Sequence, residues 1–180
     1  MLRIRPVEVA DAPTLRQIYA PYVEKTAITF EYEEPSLTEF AWRVIQISQR
    51  FPYLVAEWDG EIVGYAYANS FKDRAAYDWS VELSVYVKQS WHRQGIGKAL
   101  YQALEQELAQ RNFRNLYACI AVPNGDDPYL TMDSVRFHES LGYTLCGTFH
   151  NCGYKFDRWY SMVWMEKILN AGSAVQPVKR

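Results

Sequence analysis

The sequence is poor in cysteine and carries no surplus of charge of either sign. Its 180 residues hold three cysteines, Cys119, Cys146 and Cys152. The number is odd and no pair has Cys-x-x-Cys spacing, so neither a disulfide framework nor a zinc site is expected. They read as reduced thiols of a cytoplasmic protein, with no metal. Lys and Arg total 19 against 21 Asp and Glu, a net charge of −2. Without a basic field, binding to a phosphodiester backbone has no electrostatic support, and nucleic acid is set aside as a partner. Arg3, Arg5, Glu8 and Asp11 interrupt the N-terminal residues, which leaves no apolar run long enough for a signal peptide or a membrane span. No repeat, linker or low-complexity segment divides the chain. Aromatic residues are plentiful: they make up 16% of the chain, with 14 tyrosines and six tryptophans. That is more than a small core requires and fits an aromatic-lined pocket or an oligomer interface.

In chain order, residues 2–9 alternate Leu2, Ile4 and Val7 against Arg3, Arg5 and Glu8, which predicts an edge strand broken by Pro6. Asp11 is placed to cap a helix with Pro13 in its first turn and Leu15, Ile18, Tyr19, Tyr22 and Val23 on one stripe. Pro21 is expected to kink or end it. After the loop ITFEYEEP from Ile28, Ser36 and Glu39 form a capping box for a second amphipathic helix carrying Phe40, Val44, Ile47 and Phe51. Tyr53 to Trp58 and Glu61 to Tyr67 read as strands joined by Asp59-Gly60, a strong hairpin signal. The loop SFKDRAAYD from Ser70 carries Lys72 and Arg74. Residues 115–122 (NLYACIAV) are nearly all apolar, as in a strand buried on both faces, and Pro123 and Asn124 stop the run. A turn-rich stretch, 125–132, precedes a short helix capped by Asp133 and ended by Gly142, and two strands follow around 143–150 and 159–167. Residues 170–180 read as a loose tail. The economical architecture is one α/β domain over 1–169, a mixed twisted sheet of about seven strands with about four helices.

The stretch 81–100 carries the chemistry. Val81, Leu83, Val85 and Val87 alternate with Glu82, Ser84 and Tyr86, the pattern of a half-buried strand. Gly95 and Gly97 then lead into a segment whose Leu100, Leu104 and Leu108 share a helical face. Strand, glycine loop and helix N-terminus together aim backbone N–H groups and the positive end of the helix dipole at one spot, which suits a phosphate. A Walker loop is excluded, because His92 stands where its first glycine belongs and Ala99 follows Lys98. A dinucleotide fingerprint is excluded by Leu100. An ordinary strand-to-helix turn would use the same two glycines, and by themselves they favour that simpler reading.

The loop also resembles the Gln/Arg-x-x-Gly-x-Gly/Ala acetyl-CoA loop of the GNAT N-acetyltransferases. Further segments are similar to the phosphinothricin and methionine sulfone/sulfoximine N-acetyltransferases of that superfamily: FPYLVAEWDG from Phe51, AYDWSVELSVYV from Ala76, HRQGIGKALY from His92, AVPN from Ala121, SVRFHESLGY from Ser134 and GYKFDRW from Gly153. Together they span nearly the whole chain. Two departures are His92, where the loop pattern has Gln or Arg, and residues 125–132, which look like an insertion.

The resemblance implies a GNAT fold with splayed central strands, acetyl-CoA as co-substrate, direct acetyl transfer to a small amino-acid-like amine, and a homodimer. Glu82 would be the general base, since partial burial raises a carboxyl pKa. Backbone groups of Val85, Tyr86 and Val87 would hold the thioester and pantetheine, and Arg93, Gln94, Gly95, Ile96, Gly97 and Lys98 would wrap the pyrophosphate. Asn124 would touch the cofactor, and His138 would act as acid or orient substrate. Lys72 and Arg74 would hold the substrate carboxylate, with Arg74 favoured because a guanidinium can grip it with two bonds. Phe30, in the aromatic loop, would wall a neighbouring subunit's pocket or pack into its own core. Two other readings are a peptide or protein amine acetyltransferase and a non-catalytic acyl-CoA sensor.

Overall fold

The computed structural model describes residues 1–179. Its strands are β1 (Leu2–Pro6), β2 (Tyr53–Trp58), β3 (Glu61–Ser70), β4 (Ser80–Val87), β5 (Asn115–Val122), β6 (Thr144–Lys155) and β7 (Arg158–Ile168); its helices are α1 (Ala12–Lys25), α2 (Leu37–Ser48), α3 (Ile96–Gln110) and α4 (Asp133–Ser140). The strands make one sheet in the order β1-β2-β3-β4-β5-β7-β6, the α/β architecture that the sequence predicts. Two compact units are distinguished: Met1–Tyr19 with Pro35–Leu116 and the chain from Ile168 onward, and Ala20–Glu34 with Tyr117–Lys167.

In the first unit β1 to β4 form an antiparallel meander. Asp59 and Gly60 both adopt left-handed φ, 49° and 87°, as a two-residue hairpin turn needs. Pro6 ends β1 at the sheet edge, where a missing N–H is tolerated. Register sorts β3 and β4 into two faces. Gly64, Ala66 and Ala68 lie opposite Val87, Val85 and Leu83, on the face that meets α3. A Cβ on Gly64 would stand 3.0 Å from the Tyr86 carbonyl and 3.3 Å from Ile96, so glycine there lets helix and sheet close up. Leu100, Leu104 and Leu108 are fully buried beneath it. On the other face Tyr65 and Tyr86 approach to 5.4 Å, Tyr19 packs edge-on to Tyr86 at 4.9 Å, and Phe40 meets Tyr65. Much of the aromatic surplus is therefore core. Tyr19, Tyr53 and Tyr65 are all buried.

Several local expectations need correction. Asp11 does not cap α1, because it lies in a 3₁₀ turn (Val9–Asp11) that precedes the helix. Its carboxylate accepts the Glu8 N–H at 2.7 Å and two N–H groups of Arg5 at 2.8 and 2.9 Å, while Arg5 Nε reaches Glu57 at 2.7 Å. Arg5 holds the Asp11 carboxyl below its ordinary pKa. Helix α1 runs through Pro21 to Lys25, so the proline removes one donor without ending the helix. Ser36 Oγ does accept the Glu39 N–H, at 3.2 Å, but the Glu39 carboxylate turns one helical turn forward to Arg43.

In the second unit β6 and β7 pair antiparallel around a turn in which Phe156 and Asp157 both take left-handed φ. Strand β5 is not buried on both faces: Leu116, Ala118 and Ile120 point inward, whereas Cys119 is exposed and Tyr117 half-buried. Asp133 begins α4 as its first residue, with Met132 in the cap position. The terminal segment is not loose either. Leu169 N donates to the Arg114 carbonyl at 2.7 Å, and Lys179 N to the Arg111 carbonyl at 2.9 Å.

Candidate active site

Glu82 sits mid-strand on β4 opposite Asn69, between buried Val81 and Leu83. It is half-buried, and burial raises its pKa from the ordinary carboxyl value while the charge of Lys72 pulls it partly back. Among the described residues its carboxylate has no ion-pair partner within 4 Å, so it remains available to take a proton. Lys72 lies on the loop between β3 and β4, its ammonium 5.2 Å from the Phe71 ring and its carbonyl bonded by Ser70 Oγ at 3.0 Å. Arg74 is exposed, and its carbonyl accepts the Tyr77 N–H at 2.9 Å. The charge that acts on Glu82 is that of Lys72.

Beyond β4 a short 3₁₀ turn (Gln89–Trp91) leads to the glycine loop. Arg93 has φ 60°, and Gly95, the residue capping α3, has φ 81°. A Cβ on Gly95 would meet nothing within 4 Å, so glycine is needed here for its dihedral and the space in front of it is open. The Ala99 N–H bonds the Gly95 carbonyl at 3.0 Å, which opens the helix ladder and leaves the N–H groups of Ile96, Gly97 and Lys98 outside it. These donors, the helix dipole and the exposed side chains of Arg93 and Lys98 make a fitting cradle for a pyrophosphate. Ile96 has only its backbone to offer there, since its side chain is buried against Gly64. Gln94 spends its Nε2 on the Ser90 carbonyl at 3.2 Å. His92 turns back to β4, with Nε2 3.0 Å from the Val87 carbonyl, and so ties the strand end to the loop. On the β3 side, β4 keeps an unshifted register through Val85, Tyr86 and Val87, and the Tyr86 ring belongs to the aromatic core.

The remaining candidates lie in the second unit. His138 is buried at 4% exposure, with Nδ1 2.7 Å from the Ser134 carbonyl and its ring edge-on to Phe137 and Tyr143. Burial lowers its pKa, so the ring is neutral near pH 7. Asn124 donates through Nδ2 to Asn151 Oδ1 at 2.8 Å and to the Trp159 carbonyl at 2.9 Å, and accepts from Ser161 Oγ at 2.8 Å. Both side-chain N–H groups are thereby committed within the chain. Phe30 packs against a cluster of Ala27, Ala121, Leu130 and Tyr160. Its ring fills the place where a Cβ on Gly153 would stand, 2.3 Å from the nearest ring carbon. Of the two expectations for Phe30, the structure shows packing within its own unit.

Two groups escaped the sequence reading. Lys155 is buried, and its Nζ donates to the Val23 carbonyl at 2.7 Å and the Thr29 carbonyl at 2.9 Å, fixing the aromatic loop; burial lowers its pKa and Glu31 partly restores it. Asp127, within the insertion, accepts from the Tyr160 hydroxyl at 3.2 Å and the Tyr129 N–H at 2.8 Å and pairs with Arg158. Burial and that carboxylate push the Tyr160 pKa up to about 12. The only advance signal for Lys155 was its place in the GYKFDRW segment.

Among the described residues there is no group of His, Cys, Asp and Glu that could hold a metal, and no helix is long and apolar enough to cross a membrane. The family model described as an acetyltransferase (GNAT) domain matches residues 4–164. A phosphinothricin N-acetyltransferase of Streptomyces viridochromogenes is 35% identical over 99% of this chain and 93% of its own length. An L-methionine sulfoximine/L-methionine sulfone acetyltransferase of Pseudomonas paraeruginosa is 31% identical over 91% of this chain and 92% of its own. The crystal structure of a GNAT superfamily phosphinothricin acetyltransferase from Sinorhizobium meliloti, in complex with AcCoA, superposes with a TM-score of 0.87 at 33% identity, covering 99% of this chain and 94% of that one. With the fold, the glycine-capped helix and the strand carboxylate in place, this chain belongs to the GNAT family of acetyl-CoA-dependent N-acetyltransferases.

Proposed function

We propose that this chain transfers an acetyl group from acetyl-CoA to the amino group of a small amino-acid-like substrate of the phosphinothricin, methionine sulfone or methionine sulfoximine type. The observation that carries the mechanism is the half-buried carboxylate of Glu82, raised in pKa and within the field of Lys72. An amine attacks only when neutral, and a carboxylate with a raised pKa is a better proton acceptor for the departing ammonium proton, directly or through a water. The N–H groups at the start of α3 hold the pyrophosphate of acetyl-CoA, and backbone groups of Val85 to Val87 lie along its path. Lys72 and Arg74 supply the positive charge for a substrate carboxylate on a chain of net charge −2. His138, neutral and hydrogen-bonded through Nδ1, serves packing in this reading, and the leaving thiolate takes its proton from elsewhere. Asn124 acts by ordering β7 and the end of β5.

We further read the enzyme as a cytoplasmic homodimer. Support comes from its three exposed thiols, none of them in a disulfide, and from β6, a terminal strand exposed along most of its length, with Leu145 and Phe149 more than half exposed. The direct test follows thiol release from acetyl-CoA across amino acids, their sulfone, sulfoximine and phosphinate analogues, and a lysine peptide. Turnover of at least one analogue above the peptide is expected. Turnover of the peptide with none of the analogues overturns the substrate class, and no thiol release with any amine favours a sensor.

A further inference from the structure

We infer that the C-terminal segment, residues 170–179, is a strap that positions the loop between β3 and β4, acting through Trp79. The loop spans 71–79 and carries Lys72 and Arg74. At its start, Ser70 pairs with Val81 in the ladder, and Ser70 Oγ bonds the Lys72 carbonyl. At its end, Trp79 is the last residue before β4. The Trp79 carbonyl accepts the N–H groups of Arg114 at 2.9 Å and Asn115 at 3.1 Å, and Asn115 Nδ2 bonds Ser80 Oγ at 3.2 Å. The Trp79 indole N–H donates to the Gln176 carbonyl at 2.8 Å, 97 residues away in sequence.

The same segment ties down the groups that hold Trp79. Arg114 donates to the carbonyls of Ser173 at 2.9 Å and Asn170 at 2.6 Å, and Asn112 Nδ2 donates to the Pro177 carbonyl at 2.7 Å. Every tail acceptor just named is a backbone carbonyl; of the tail side chains, the Ser173 hydroxyl also accepts from Arg114 at 3.4 Å and donates to the Asn170 carbonyl at 2.8 Å, so the contacts depend mainly on the path of the tail. That is why a run of small and polar residues reads as loose in the sequence yet binds in register here. Glu82 lies three residues beyond Trp79 on β4, so an anchor at Trp79 bears on both the loop cations and the strand that presents the base.

The functional part of this inference rests on the carboxylate role given above to Lys72 and Arg74, so the test has one arm that does not need it. Hydrogen exchange on the full chain, on a chain ending at residue 169, and on Trp79→Phe reads the loop directly. Trp79→Phe keeps an aromatic ring and loses the indole donor. Faster exchange in 71–79, with α3 from residue 100 onward unchanged, is expected in both variants; Gln176→Ala, which keeps the carbonyl, should match the parent. In steady state, both variants should raise KM for the amino-acid substrate about three- to tenfold and leave kcat and the KM for acetyl-CoA within about twofold. Unchanged exchange in 71–79 overturns the strap. Equal losses in kcat and both KM values show that the tail only stabilises the fold, which also overturns it. Faster loop exchange with an unchanged amine KM keeps the strap and refutes the carboxylate role of the loop.

Discussion

Gly153→Ala should destabilise this protein far more than one added methyl ordinarily does. Gly153 is buried in the β6–β7 ladder opposite Tyr160, and its missing side chain is replaced by the ring of Phe30. A Cβ would lie 2.3, 2.6 and 2.7 Å from three ring carbons, whereas ordinary contact begins at 3.4 Å. The ring must therefore retreat by about 1 Å, and Ala27, Ala121, Leu130 and Tyr160 stand against it. Overpacking of this kind costs about 1–3 kcal/mol, which for a chain of this length lowers Tm by roughly 2–12 °C. Thermal denaturation of Gly153→Ala, Phe30→Ala and the double variant measures it. Once the ring is gone the methyl has room, so the double variant should be more stable than the sum of the single losses predicts, by about the same 1–3 kcal/mol. A Gly153→Ala melt within about 1 °C of the parent, or strict additivity, would refute the packing of Phe30 within its own unit.

Glu82→Gln should lower kcat by on the order of a hundredfold with acetyl-CoA affinity retained, and an unchanged rate at neutral pH would remove the carboxylate from the mechanism. Because the folded pKa of Glu82 is raised, the parent should lose stability relative to Glu82→Gln as pH climbs from the unfolded carboxyl value near 4.5 through the raised one, a difference that paired melts across that range would register. His138 has a lowered pKa, so its contribution is complete above about 6.5 and fades as pH falls; His138→Gln should flatten the acid limb of the stability curve, and an unaltered limb would contradict the burial. Gly95→Ala forces a left-handed φ on a residue with a side chain, at about 1–2 kcal/mol, and should weaken acetyl-CoA binding by calorimetry more than His92→Ala does; the opposite ranking would make His92 the ligand. Lys155→Met leaves the Val23 and Thr29 carbonyls without their donor and should cost about 1–3 kcal/mol in denaturant unfolding, with no loss expected only if water replaces the ammonium.

Some of these features were written in short stretches of sequence, others only in the folded chain. Asp59-Gly60 fixed its hairpin because both residues accept left-handed φ, and Ser36 marked the start of α2 because its hydroxyl serves an N–H three residues on. The alternation around Glu82 and the glycine-bearing turn before α3 were legible for the same reason: the partner of each residue lies within a turn or a strand pair. Asp11 shows where that logic stops. Its residue type is right for a cap, but Arg5 and the Glu8 N–H claim its carboxylate once β1 and the turn come together. Lys155 meets carbonyls 126 and 132 residues away, Gly153 makes room for Phe30, and Trp79 bonds a tail 97 residues on. Asn124 and His138 were recognisable as polar residues in family segments, but whether a polar atom is spent on the chain or left for a ligand depends on the groups brought beside it. Sequence alone determined the local elements and the glycine loop, because hydrogen bonds over a few residues depend on residue type and dihedral preference. Tertiary structure decided which polar groups are satisfied and which glycines make room, because those depend on atoms that only the fold brings into contact.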